Sequence, residues 1–89
     1  MKSYHLQLFI TGKTSRSELA IQSVKKLCED LFEEGLQFEV IDVLEDPDIA
    51  EEQKVIATPT LIKFSPPPVK RLIGDFADTQ VVKKHLDMI

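Results

Sequence analysis

The side chains of this 89-residue chain that could do chemistry are one thiol, two imidazoles, a run of hydroxyls and a knot of carboxylates. The thiol, Cys28, has no second cysteine to pair with, so it would have to act alone. A reactive thiolate needs an exposed, electropositive setting, and Glu29 and Asp30 supply the opposite charge. Cys28 therefore reads as a small buried hydrophobe in a helical stripe. Ser15 and Ser17 have no base or second nucleophile near them in sequence, and helix capping accounts for them. Asp42, Glu45, Asp46 and Asp48 could attract a cation, but their spacing lacks the glycine and the terminal glutamate of a calcium loop. A solvated strand-to-helix connection explains the cluster. His5 and His85 sit at opposite ends of the chain and read as surface or partly buried fillers. Thr11-Gly12-Lys13-Thr14 resembles the tail of a phosphate-binding loop whose first glycine is missing. No catalytic residue, metal or cofactor is expected from these groups.

Charge narrows the partners. The net charge is −4, and no basic cluster is denser than Lys70-Arg71 or Lys83-Lys84. Nucleic acid and acidic membrane surfaces call for a positive stripe that displaces counterions. No apolar stretch is long enough to span a bilayer. A protein partner is the class that remains. Residues 1–89 are the size of one domain with little stability to spare. Met1-Lys2-Ser3-Tyr4-His5 runs into a strand pattern without a signal-peptide hydrophobic region, so a cytoplasmic protein is expected.

The elements that must carry these residues follow from periodicity. Leu6 to Ile10 alternates and then turns wholly apolar, as a strand buried on both faces would. Ser15 and Glu18 have capping-box spacing and predict a helix start. Its buried stripe is Ala20, Ile21, Val24, Leu27, Cys28, Leu31 and Phe32, and Gly35 is placed to end it in a left-handed cap. Leu36 to Val43 is a second strand, its first half half-exposed and parallel to the first. Asp46 and Pro47 predict a short helix to about Lys54, with Ile49, Ala50 and Gln53 able to face inward. Asp48, Glu51 and Glu52 lie near its positive end, where the helix dipole favours them.

Val55-Ile56-Ala57 is an apolar run cut by Thr58-Pro59 before the third strand, Thr60 to Phe64. Pro59 belongs at that strand's start, either as an ordinary trans proline or as a cis one. Three prolines, Pro66 to Pro68, stop the strand, and Val69 to Ile73 is a fourth that should pair antiparallel with the third. Gly74-Asp75 opens a turn. Asp78 then caps a last helix with Val81, Val82, His85, Leu86 and Ile89 on one face.

This order, βαβαββα, is that of the α/β thioredoxin-like fold, and Thr58-Pro59 falls where that fold places its proline. A thioredoxin-like oxidoreductase holds its attacking thiolate where the first strand passes into the first helix. Here that position reads Gly12-Lys13-Thr14-Ser15-Arg16-Ser17 and contains no cysteine; Cys28 is about four helical turns away. Two-thiol exchange is excluded. A degenerate redox or glutathione-binding enzyme using Thr14 or Ser15 stands as the competing reading.

With the motifs assembled, the chain resembles the KaiB family of clock proteins over nearly its whole length. The resemblance is carried by Val40-Ile41-Asp42-Val43-Leu44, by Pro47 with Ala50-Glu51-Glu52, by Ala57-Thr58-Pro59-Thr60-Leu61, and by Pro66-Pro67-Pro68-Val69-Lys70-Arg71 followed by Ile73-Gly74-Asp75. The input domain of the kinase SasA shares the fold and resembles this chain less. The family implies a non-enzymatic role: binding the N-terminal ATPase ring of KaiC, competing there with SasA-type kinases, and in cyanobacterial clocks capturing KaiA. It also implies two folds, a thioredoxin-like binding state and an often tetrameric ground state of order βαββααβ. By resemblance, the KaiC-facing surface includes Asp48, Glu51, Glu52 and Lys54 with the neighbouring loops.

Two departures from the family pattern matter. Many members carry a basic residue on the second strand, used towards KaiA, where this chain has Glu39; reversing a charge at a contact argues against KaiA capture. The position near the C-terminus that is commonly glycine is His85 here, while the aspartate that follows matches Asp87. Glycine costs a helix interior about 1 kcal/mol relative to alanine, and histidine less. The last segment should therefore prefer helix, and His85 and Asp87 are expected to bias the chain toward a monomeric thioredoxin-like state.

Overall fold

Tyr4 to Ile10 alternates between buried and half-buried side chains before closing on three buried ones, and it forms the central strand β1 (Tyr4–Ile10). The structure is a computed structural model that describes residues 3–29, 35–74 and 76–88. After β1 come α1 (Ser15–Glu29), β2 (Leu36–Asp42), α2 (Pro47–Glu52), β3 (Thr60–Ser65), β4 (Lys70–Ile73) and α3 (Thr79–His85). The sheet order is β2-β1-β3-β4. β1 runs parallel to β2, with Leu6 opposite Phe38 and Leu8 opposite Val40. β3 is antiparallel to both β1 and β4, with Leu8 opposite Leu61 and Ile62 opposite Arg71. The expected βαβαββα order and every strand direction hold.

Two unequal cores flank the sheet. Leu6, Leu8 and Leu61 pack with Ala20, Val24 and Leu27 of α1, with Val82 of α3 and Leu86 at its end, and with Phe76. On the other face Phe9, Ile41 and Ile62 meet Ala50, the one buried residue of α2. Each fully buried aliphatic or aromatic side chain contributes about 1.5–3 kcal/mol, so the α1–α3 face dominates stability. Lys63 is also wholly buried, its stem in the sheet and its Nζ donating to the Pro66 carbonyl at 2.8 Å.

The helix ends differ from expectation in instructive ways. α1 is capped by Thr14, not by Ser15: Thr14 Oγ1 accepts from the Ser17 N–H at 3.1 Å, and the Thr14 carbonyl takes the Glu18 N–H at 2.9 Å. Gly12, at φ +63°, turns the chain early enough to bring Thr14 to the cap. The expected stripe residues Ala20, Val24, Leu27 and Cys28 are buried; Asp30, Leu31 and Phe32 lie outside the described residues. Gly35 has the expected left-handed φ of +84°.

α2 stops at Glu52, short of the predicted Lys54. Asp46 stands at the N-cap, but its carboxylate makes no capping bond. The helix is instead closed at its C-terminus by a left-handed Lys54, φ +55°, with Lys54 N–H donating to Glu51 O at 3.0 Å and Val55 N–H to Ala50 O at 2.9 Å. This pair of bonds is a Schellman motif, accompanied by the usual apolar contact at its two ends, here Val55 and Ala50. Ile49 turns outward, 37% exposed, because a helix of one and a half turns has room for a single inward residue.

α3 begins as predicted: Asp78 Oδ1 accepts from the N–H groups of Gln80 and Val81 at 3.1 and 3.3 Å. Its buried face is Val82, Lys83 and Leu86, rotated from the predicted stripe, while Val81 and His85 are exposed and Ile89 lies outside the described residues. It too ends in a Schellman motif, with Asp87 at φ +54° and bonds from Asp87 N–H to Lys84 O and Met88 N–H to Lys83 O. Consecutive residues of β4 reach the two left-handed caps: Arg71 Nη1 donates to Lys54 O at 3.3 Å, and Lys70 Nζ stands 3.8 Å from Asp87 Oδ2.

These caps make two predictions for thermal unfolding. Thr14→Ala loses about 1 kcal/mol, a drop of roughly 4–8 °C in Tm, whereas Ser15→Ala leaves Tm nearly unchanged. Lys54→Gly relieves the left-handed strain and raises stability by about 0.5–1 kcal/mol. A larger loss at Ser15 than at Thr14 would return the cap to the capping-box reading.

Candidate protein-docking face

Asp42, at the end of β2, organises the candidate face. Its Oδ1 accepts from Gly12 N–H at 3.0 Å and from Leu44 N–H at 2.9 Å, while its carbonyl takes the N–H groups of Glu45 and Asp46. The first member of the acidic cluster thus builds the connection between β2 and α2. From there α2 carries Asp48, Glu51 and Glu52 outward, all exposed around one shallow recess. Lys54 follows, exposed, its backbone tied to Arg71. Of the four residues expected at the partner surface, Asp48, Glu51 and Glu52 are therefore carried on one short, well-fixed helix and Lys54 on the turn that closes it.

Glu39 shares the α2 side of the sheet but lies on the edge strand β2. Its Oε1 stands 2.7 Å from His5 Nε2 and accepts from Gln7 Nε2 at 3.2 Å. The hydrogen bond with His5, then that with Gln7, holds the Glu39 carboxyl below the usual carboxylate range. His5 in turn lies against Phe64, ring centroids 5.1 Å apart. His85 and Asp87 are not part of this surface. They close α3, which packs on the opposite face of the sheet.

Thr58-Pro59 occupies the bend before β3, and this peptide is cis, as are Ser65-Pro66 and Pro67-Pro68. Thr58 Oγ1 is 2.6 Å from Thr11 Oγ1, and the Pro59 carbonyl accepts from Gly74 N–H at 3.0 Å. Pro59 faces α1 across an apolar cleft of about 430 Å³ lined by Arg16, Leu19, Ala20, Phe76 and Ala77. Redox chemistry finds little here. Cys28 is buried within α1, and burial pushes its thiol up to about 11, leaving almost no thiolate at neutral pH. Thr14 and Ser17 spend their hydroxyls on each other and on the helix cap. Among the described residues, no three His, Cys, Asp or Glu side chains group to hold a metal.

Sequence reasoning passed over two side chains beside the acidic helix. Leu44 is 68% exposed and Ile56 89% exposed, although each follows another aliphatic residue, Val43 and Val55. The available signal was that each adjoins a turn, Leu44 before Glu45-Asp46-Pro47 and Ile56 before Ala57-Thr58-Pro59.

Comparison with known proteins agrees with this architecture. The KaiB domain model matches residues 7–88. The circadian clock oscillator protein KaiB of Rippkaea orientalis is 44% identical over 88 residues, covering 99% of this chain and 85% of the relative. The circadian clock protein KaiB3 of Synechocystis is 45% identical over 84 residues, covering 94% and 82%. Among solved structures, the N-terminal domain of Synechococcus elongatus SasA superposes with a TM-score of 0.77 at 25% identity, covering 100% of this chain and 88% of that one. Oxidised mitochondrial thioredoxin 3 of Saccharomyces cerevisiae gives 0.76 at 22% identity, covering 100% and 81%, which shows the common fold. The sheet is thioredoxin-like, no helix among the described residues is long and apolar enough to cross a membrane, and the chain belongs to the KaiB family.

Proposed function

We propose that this chain is a non-enzymatic clock or timing protein of the cytoplasm that docks through α2 on the N-terminal ATPase ring of a KaiC-type ATPase and adjusts its phosphorylation cycle. The observation that carries this reading is α2 itself. Six residues long, it buries only Ala50 and spends the rest of its circumference on Asp48, Ile49, Glu51 and Glu52, all in solvent. Such a helix does little for the core, yet it is fixed at both ends by backbone bonds. A rigid, exposed, acidic element suits recognition, because little ordering entropy is lost on binding.

Family membership supports the same role, and the likeness to the SasA N-terminal domain supports competition with SasA-type kinases for the ring as part of this proposal. Glu39 stays ionised at neutral pH and turns an acidic strand edge outward, which argues against KaiA capture. A degenerate redox enzyme is disfavoured by the buried, high-pKa Cys28. In this role the thioredoxin-like arrangement is the binding state and the monomer is its form. The tetrameric ground state is its counterpart.

Two experiments check these points. The chain co-elutes with a KaiC-type ring in the presence of nucleotide, and the double variant Glu51→Lys with Glu52→Lys weakens the complex by about tenfold or more through like-charge contact. No complex in any nucleotide state would remove the docking function. Backbone chemical shifts report helix for residues 79–85 in the dominant species. Extended shifts from Val81 to Leu86 would instead assign the free chain to the ground state.

A further inference from the structure

Beside the acidic helix lies a small apolar prominence that folding does not use. Ile56 is 89% exposed and Leu44 is 68% exposed, the two largest exposures among the big hydrophobic side chains described. Scattered single apolar residues are ordinary on a surface, but these two stand on adjoining loops. Thr11 and Val43 line, together with Ile56 and Ala50, a recess of about 210 Å³, and Leu44 follows Val43 directly. The Leu44 Cδ1 lies 3.4 Å from where a Cβ on Gly12 would fall, so this loop packs against the end of β1.

Both loops are held by short hydrogen bonds to their backbone groups. Asp42 Oδ1 fixes Leu44 N–H at 2.9 Å. The Schellman motif fixes Val55 next to Ile56 at 2.9 Å, and Thr60 Oγ1 donates to Ala57 O at 2.6 Å on its other side. The two side chains are therefore presented in advance, without a loop to order on binding. Exposed apolar groups on a rigid frame, rimmed by charge, are the arrangement of an interface hot spot.

We infer that Ile56, supported by Leu44, is the apolar anchor of the docking face and inserts into an apolar pocket whose rim is basic. This inference rests on the docking function proposed above and adds to it the chemistry of the partner's surface. The charge of the surroundings selects the occupant. Ala50 of α2 lines the recess together with Ile56, and the same short helix exposes Asp48, Glu51 and Glu52, so a partner that covers both must bring Lys or Arg around its pocket. A second copy of this chain would bring acidic helix against acidic helix, and an anionic membrane would be repelled likewise.

The test measures affinity of the full chain for a KaiC-type ring with nucleotide present. Ile56→Ser weakens binding by about tenfold or more, Leu44→Ser by about threefold, and both keep the wild-type Tm because neither side chain is buried. Ile73→Ser, at an exposed apolar position on β4, serves as the control and binds as wild type. Raising salt from about 0.05 M to about 0.5 M weakens wild type and Ile56→Ser by the same factor, since only the charged rim is screened. A ring that binds Ile56→Ser as tightly as wild type overturns the anchor and leaves the docking function standing. A ring that ignores the wild-type chain overturns the docking function itself. Concentration-dependent self-association that Ile56→Ser abolishes would assign the prominence to a second copy and also overturn the inference.

Discussion

Leu6 and Leu8 on one side of β1 and Phe9 on the other are fully withdrawn from water, and every other element is placed by the need to cover them. A strand enclosed on both faces must lie inside its sheet, which puts β2 and β3 on its two edges. The connection from β1 to the parallel β2 then has to cross a face, and α1 does so with Ala20, Val24 and Leu27 turned inward. α3 completes that face. The other face has only Ile41, Ile62 and Ala50 over Phe9, so α2 can be short and mostly polar. The exposure of α2 is thus a by-product of where the larger core was built.

Much of this was legible in the residues. The period of α1, the alternation in β1 and the proline stop after β3 each depend on local chemistry that one sequence displays. Details that failed did so for physical reasons. Thr14, Ser15 and Ser17 all accept backbone N–H groups well, so only the turn at Gly12 decides which of them caps. Six helical residues are too few for a period, so the outward turn of Ile49 left no mark. The rotation of α3 that buries Lys83 and exposes Val81 reflects packing against α1 and β4, which no local pattern encodes.

The candidate site was legible in its charges and illegible in its apolar part. Acidic residues on a short helix announce an exposed surface because burying them unpaired is prohibitive. Isoleucine and leucine carry no such label, and Ile56 reads the same whether it fills a core or stands in solvent. Asp42 shows the reverse case: a carboxylate that looked like surface charge is committed to two backbone N–H groups.

The reach of β4 has a mechanical consequence. Side chains of neighbouring strand residues point to opposite sides of a sheet, so Lys70 and Arg71 tether the finishing residues of helices that lie on opposite sides. Each tether is exposed and weak by itself, worth about 0–1 kcal/mol. They share one strand, however, and lifting that strand away severs both in a single motion. A refolding of the chain's second half would accordingly unfasten the acidic helix and the last helix together, linking the proposed docking face to the shape the chain has taken.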